Sequence, residues 1–327
     1  MPTLETVFNR ILDFTAVFSL MSYIPSIAII TFKTPSKMRG FSRPLINIFC
    51  WNSIVNLLFI FARPFPMMPL SCFKLTGFIE YWVDNEEVGK AALMITLFTM
   101  VNVAVALFIS FQLRYMNIAH SKFIANHRRI WFYIYAACFH LFASVVYFVL
   151  YRTWVIPVDN YYVPIDPSLR LNLFCMAPIG ANSYISPLYL FFFIGFICVS
   201  LLLFVYFSFQ ELNKHKNIMS EKTAKMQRKL LWNLIVLSSI PIGLGGLPYL
   251  VLSATIEFHY WEHAQIVCVI MTLLMLNYGP IMCIACLLMF KTYRKYCREI
   301  FSKLVYVGRQ TTVSTPVISF AAKPMSF

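Results

Sequence analysis

The chain has 327 residues, of which 60% are hydrophobic, 17% aromatic and only 12% charged, and its formal net charge is +14. Soluble globular domains carry about 25% charged residues, so an ordinary water-soluble core is excluded. The excess positive charge does not argue for nucleic-acid binding either: it is confined to short loops beside apolar runs, where membrane insertion and attraction to anionic lipid account for it.

Seven apolar stretches follow in chain order, at about 11–32, 44–62, 91–113, 130–151, 185–209, 230–256 and 264–290. At 1.5 Å per residue each can cross a hydrocarbon core of about 30 Å. The predicted fold is an all-α membrane protein, a single seven-transmembrane helix bundle over residues 1–327. Its sidedness comes from the linkers. Segments 33–43, 114–129, 210–229 and 291–327 hold 21 of the 27 Lys and Arg but three of the thirteen acids. Lys and Arg are retained in the cytoplasm during insertion, which predicts the N-terminus outside and the C-terminus cytoplasmic. Span 1 reads as an uncleaved signal-anchor, since Asp13 and Pro25 interrupt it and no small-x-small cleavage site follows a short apolar core.

Prolines punctuate the spans: Pro25 in span 1, Pro187 in span 5, Pro241 and Pro248 in span 6, Pro280 in span 7. Each removes a backbone hydrogen bond and predicts a kink or an opened turn. The run from Pro241 to Pro248 also contains Gly243, Gly245 and Gly246. It reads either as a hinge, with Pro241 and Pro248 as its pivots, or as the ordinary tolerance of membrane helices for Pro and Gly.

Six cysteines, Cys50, Cys138, Cys198, Cys268, Cys283 and Cys286, fall in spans and read as small apolar fillers; Cys297 is cytoplasmic. Cys72 and Cys175 alone lie in outer loops. An oxidising compartment permits a Cys72–Cys175 disulfide; the alternative is two unpaired thiols.

His140 is the one His, Lys, Arg, Asp or Glu deep in any span, and it reads as hydrogen-bonded packing rather than a proton relay. Asn52, Asn56, Asn102, Asn233 and Asn277 are expected to bond between helices. His259 and His263 have metal-ligand spacing if helical, yet no third ligand is evident, so an interfacial polar and aromatic cap is the expectation and no metal or cofactor is predicted. With no nucleophile motif and no phosphate-binding glycine loop, enzymatic activity has no positive support, and the scarcity of buried charge disfavours a transporter.

The cytoplasmic segments carry more. Residues 219–231 read as a basic helix entering span 6, with Ser220 as N-cap and Lys222, Lys225, Arg228 and Lys229 along it. After span 7, Tyr293, Cys297, Ile300, Phe301 and Leu304 recur at helical spacing, which predicts a short amphipathic helix on the inner leaflet with Cys297 as an acylation candidate. Plain stop-transfer charge is the alternative for both. Residues 308–327 lose periodicity and read as a disordered tail, with Thr311, Thr312, Ser314 and Thr315 as phosphorylation candidates.

The stretch from Met219 to Leu231, followed by Ile240-Pro241 and Leu247-Pro248-Tyr249, resembles the nematode serpentine chemoreceptors of class H, within the Str superfamily of G-protein-coupled receptors. The helix running from Gly279 to Arg294 and the sequence Phe111-Gln-Leu-Arg114-Tyr115 at the end of span 3 are similar to that family too. The resemblance implies an olfactory or other chemosensory receptor in the plasma membrane of sensory cilia. It would bind a small external molecule and activate a heterotrimeric G protein through Arg114, Lys222, Lys225, Arg228 and Lys229. Gln112 stands where that family has an acid, and Thr292 where it has a proline. The competing classes are a transporter of a small neutral solute and a ligand-gated channel; seven-span channels of the insect odorant type need the opposite orientation.

Overall fold

The computed structural model describes residues 3–35, 39–82, 86–126, 128–162, 165, 173–177, 180–214, 221–299 and 302. Seven of its helices are long and apolar enough to span a bilayer. In chain order the helices are α1 (Leu4–Lys33), α2 (Arg39–Ala62), α3 (Glu86–Ala119), the short α4 (Ser121–Asn126), α5 (Arg129–Trp154), α6 (Ala181–Lys214), α7 (Glu221–Pro241), α8 (Leu247–Glu257) and α9 (Ala264–Met289). The sixth span runs through α7 and α8, joined by a π-helical turn at Ile242–Gly246.

Several helices outrun their apolar stretches. The first begins at Leu4, where the Thr3 hydroxyl caps the Thr6 amide and Glu5 sits in the favourable first turn. The polar residues of its N-terminal part are held by other chain segments: Asp13 pairs with Arg63 at 2.5 Å, Glu5 with Lys74 at 3.2 Å, and Asn9 accepts from Thr76.

α3 is the pillar of the bundle, with 67% of its most apolar window buried against 17% for those of α5 and α6. Asparagines stitch spans together. The Asn56 amide on α2 donates to Tyr23 Oη on α1 and to the Leu276 carbonyl on α9, both at 3.1 Å. Asn102 on α3 donates to Ser144 on α5 at 3.0 Å, and His140 bonds Asn102 Oδ1 at 2.6 Å through Nδ1. His140 is thus part of inter-helix packing. Gly279 lets α9 approach α1, because a methyl there would overlap the Tyr23 hydroxyl.

An all-helical expectation omits one element. Four short strands, β1 (Pro64–Pro66), β2 (Cys72–Leu75), β3 (Val155–Ile156) and β4 (Leu173–Met176), form an antiparallel sheet in the order β1-β2-β4-β3. The strands are too short to show a period-2 pattern, and they exist because two loops pair across the end of the bundle. Cys72 faces Cys175 in the β2–β4 register, and the two are joined by a disulfide.

At the opposite end, residues 291–299 are helical. Tyr293 is fully buried there and lies 2.9 Å from the Thr34 hydroxyl, so this helix docks on the end of α1. Ile300, Phe301, Leu304, Ser220 and the 308–327 tail lie outside the described residues.

Candidate functional site

Pro241 and Pro248 each lack an amide hydrogen, so two consecutive turns of span 6 lose their normal i→i−4 bonds. The backbone re-spaces between them, and the Leu247 amide bonds the Ile242 carbonyl five residues back. Gly245 in this turn accepts the Tyr278 ring of α9, which a β-carbon there would meet at 3.1 Å. A π-turn is a local widening of the helix, and here it borders a cavity.

That cavity, of about 100 Å³, lies among α3, α5, α6, α9 and the π-turn. Ala104, Leu190, Ile194, Pro241 and Gly245 are among the residues that wall it. A second cavity of about 60 Å³ continues toward the disulfide end and shares Leu97, Met100, Tyr249 and Met275 with the first. Phe73 of β2 and Met176 of β4 line this second cavity, which places the disulfide-linked strands at its far end. Together the cavities match the ~150 Å³ of an engineered apolar cavity that takes up benzene. Their walls are almost wholly carbon. The hydroxyl-bearing residues of the walls are Tyr147, Tyr249 and Tyr278, with Ser253 and Thr272 in the second cavity. Tyr147 is 1% exposed, and its hydroxyl has no hydrogen-bond partner among the described residues. The Tyr278 hydroxyl is taken up by Asn52. These tyrosines were missed in the sequence, although a phenol inside an apolar span is itself a signal, since its hydroxyl needs a partner in a dry interior.

At the far end of α3, Arg114 is half-buried. Gln112 accepts a 2.6 Å hydrogen bond from Tyr135 on α5, and Tyr115 packs against Phe204 and Phe207 of α6. On α7, Lys225, Arg228 and Lys229 are exposed, and Lys225 pairs with Glu221 at 2.6 Å one turn before it. The side chain of Lys222 lies outside the described residues. Pairs of this exposed i,i+4 kind contribute only about 0.3–0.5 kcal/mol, which leaves the lysine available to a partner.

Cys297 is partly buried among residues packed on Phe290 and Cys286. Burial pushes its thiol up, which lowers the thiolate fraction that would attack an acyl donor. His259 and His263 lie at the turn between α8 and α9: His259 is buried, and the His263 ring meets Trp261 edge-on at 5.6 Å.

A family model described as serpentine type 7TM GPCR chemoreceptor Srh matches residues 4–303 of the chain. No curated protein matches it.

Proposed function

Because the chain belongs to the Srh family of serpentine seven-transmembrane chemoreceptors, we propose that it binds a small, largely apolar external molecule in the chamber beside the π-turn and activates a heterotrimeric G protein at its basic end. The observation that carries this reading is the coincidence of cavity and softened helix: Pro241, Ile242, Gly245 and Gly246 are both the wall of the chamber and the turn that lacks regular helical bonding.

The mechanism follows from differential contact. A molecule filling the chamber presses on the π-turn and on Tyr278, and it shifts the population between two packings of span 6 only insofar as it fits one better. Pro241 and Pro248 act as the hinge. Rotation about them moves α7, with Lys222, Lys225, Arg228 and Lys229, relative to Arg114 at the end of α3, and opens the face that receives the G protein. The Lys and Arg excess at this end supports its cytoplasmic placement and an N-terminus outside. The receptor is a multi-pass membrane protein, and this reading puts it in the plasma membrane of sensory cilia. The carbon-lined walls favour a neutral ligand of roughly benzene size over an amine or an amino acid, whose charge would be buried without a partner.

The test is a screen of small neutral molecules on cells expressing the chain, with a calcium or cyclic-nucleotide readout, repeated with Ala104→Phe and with Ile194→Phe. Both substitutions fill the chamber, so the response to an identified agonist should fall at least tenfold in sensitivity at unchanged surface level. Full responses from both filled variants would place the agonist elsewhere and overturn the reading.

A further inference from the structure

A larger cleft opens sideways between α2, α3 and α5, on an exposed flank of the bundle. Its volume is about 1210 Å³, and its wall includes Arg43, Asn47, Trp51, Asn102, His140 and Ser144. Arg43, Asn47 and Trp51 sit at i, i+4 and i+8 on α2, so they climb one face in steps of roughly 6 Å from the basic end toward the membrane interior.

The hydrogen bonds sort these groups. Asn102 is occupied: its amide donates to Ser144 and to the Phe98 carbonyl, and its oxygen bonds His140 Nδ1. Since that oxygen only accepts, Nδ1 carries the imidazole proton and Nε2 is left as an acceptor. Asn47 Nδ2 reaches Nε2 at 3.4 Å, and Trp51 stacks on the imidazole at 5.3 Å. Among the described residues, therefore, Asn47 keeps a second N–H and its carbonyl oxygen, and Arg43 has no carboxylate partner. Beyond this polar ladder the α5 wall turns apolar, with Leu141 65% and Val145 52% exposed.

Hydrocarbon alone would leave the amide and guanidinium unsatisfied, which is expensive where water is scarce. We infer that this cleft is a binding site for an anionic phospholipid of the leaflet at the basic end: the phosphate meets Arg43, an ester carbonyl accepts from Asn47, and an acyl chain lies along Leu141 and Val145. A second copy of the chain fits less well, because the loops at this end hold 21 of the 27 Lys and Arg and would bring like charge against like. Basic recesses between helices suit lipid head groups for the same reason.

The experiment uses the whole receptor in nanodiscs of phosphatidylcholine with and without phosphatidylserine, read by native mass spectrometry for retained lipid and by thermal stability. Phosphatidylserine should be retained and raise the melting temperature. Arg43→Gln and Asn47→Leu should each weaken retention about fivefold, and Arg43→Lys should keep most of it, given the contribution of one basic residue near an anionic surface. Lys214→Gln, which removes an exposed charge at the same end outside the cleft, should leave lipid retention unchanged. Equal retention of phosphatidylcholine, an equal loss from Lys214→Gln, or no loss from Asn47→Leu would overturn the site. So would efficient Val145→Cys cross-linking between copies in phosphatidylserine discs, since a second copy would then fill the cleft.

Discussion

The Tyr278 hydroxyl donates a 2.5 Å hydrogen bond to Asn52 Oδ1, and the same tyrosine ring rests against Gly245 of the π-turn. The final span is thus tied to α2 at the point where it touches the softened part of span 6. Asn52 Nδ2 is buried without a partner among the described residues, so the Asn52 carbonyl is its one engaged group there. Tyr278→Phe should lower stability by about 0.5–1.5 kcal/mol, the range of inter-helix hydrogen bonds in membranes. A double-mutant cycle with Asn52→Val, read by thermal unfolding in nanodiscs, should recover most of that as coupling. Additive single effects would show that the bond is not made.

Gly279 is predicted to be intolerant of any side chain. An alanine methyl overlaps the Tyr23 hydroxyl, which Asn56 holds from α2. Overpacking of this kind costs about 1–3 kcal/mol. Gly279→Ala should therefore reduce folded yield and melting temperature, and adding Tyr23→Phe should restore part of the loss by removing the clashing oxygen. A neutral Gly279→Ala would mean that α1 and α9 are further apart.

The Cys72–Cys175 bridge closes a separation of 103 residues and ties β2 to β4. Cys72→Ser, Cys175→Ser and the double variant should each lose about 2–4 kcal/mol, and by the same amount, because they remove one shared bond. Since Phe73 and Met176 line the second cavity, agonist sensitivity should fall with stability. Unequal single variants, or free thiols recovered from non-reduced peptides of folded receptor, would count against the bridge.

Arg114→Ala should leave surface level and ligand binding near wild type while abolishing G-protein activation, measured as nucleotide exchange with an identified agonist. Gln112 is engaged by Tyr135, so the restraint on this end of α3 runs to α5, and Tyr135→Phe should raise agonist-independent activity. Wild-type signalling by a surface-expressed Arg114→Ala receptor would remove that arginine from the coupling face.

Cys297 should react slowly with maleimide in folded receptor at neutral pH. Burial raises its thiol, so the thiolate is scarcer than in a free cysteine, and labelling should accelerate continuously as pH is raised above the ordinary thiol range. Labelling as fast in the folded as in the denatured chain would show that the 291–299 helix does not dock.

The number of spans and the membrane class were decided by the sequence alone, because an apolar run of about twenty residues has few alternatives to a transmembrane helix and no tertiary contact is needed to say so. The doubled proline of span 6 was equally local: Pro241 and Pro248 lack amide hydrogens wherever they are placed. Family motifs lay along the chain and could be read there too. What only the tertiary structure decided concerns residues distant in sequence. Strand pairing across the disulfide end joins 64–66 and 72–75 to 155–156 and 173–176, segments too short to announce themselves by periodicity. The chamber exists because Ala104, Ile194, Gly245 and Tyr278 come from four spans. Tyr278 finds Asn52, and Asn47 finds His140, only after the helices have chosen their rotation about their own axes. In an apolar span nearly every face is hydrophobic, so that rotation is set by small residues and hydrogen bonds between neighbours and leaves little trace in the pattern of hydropathy.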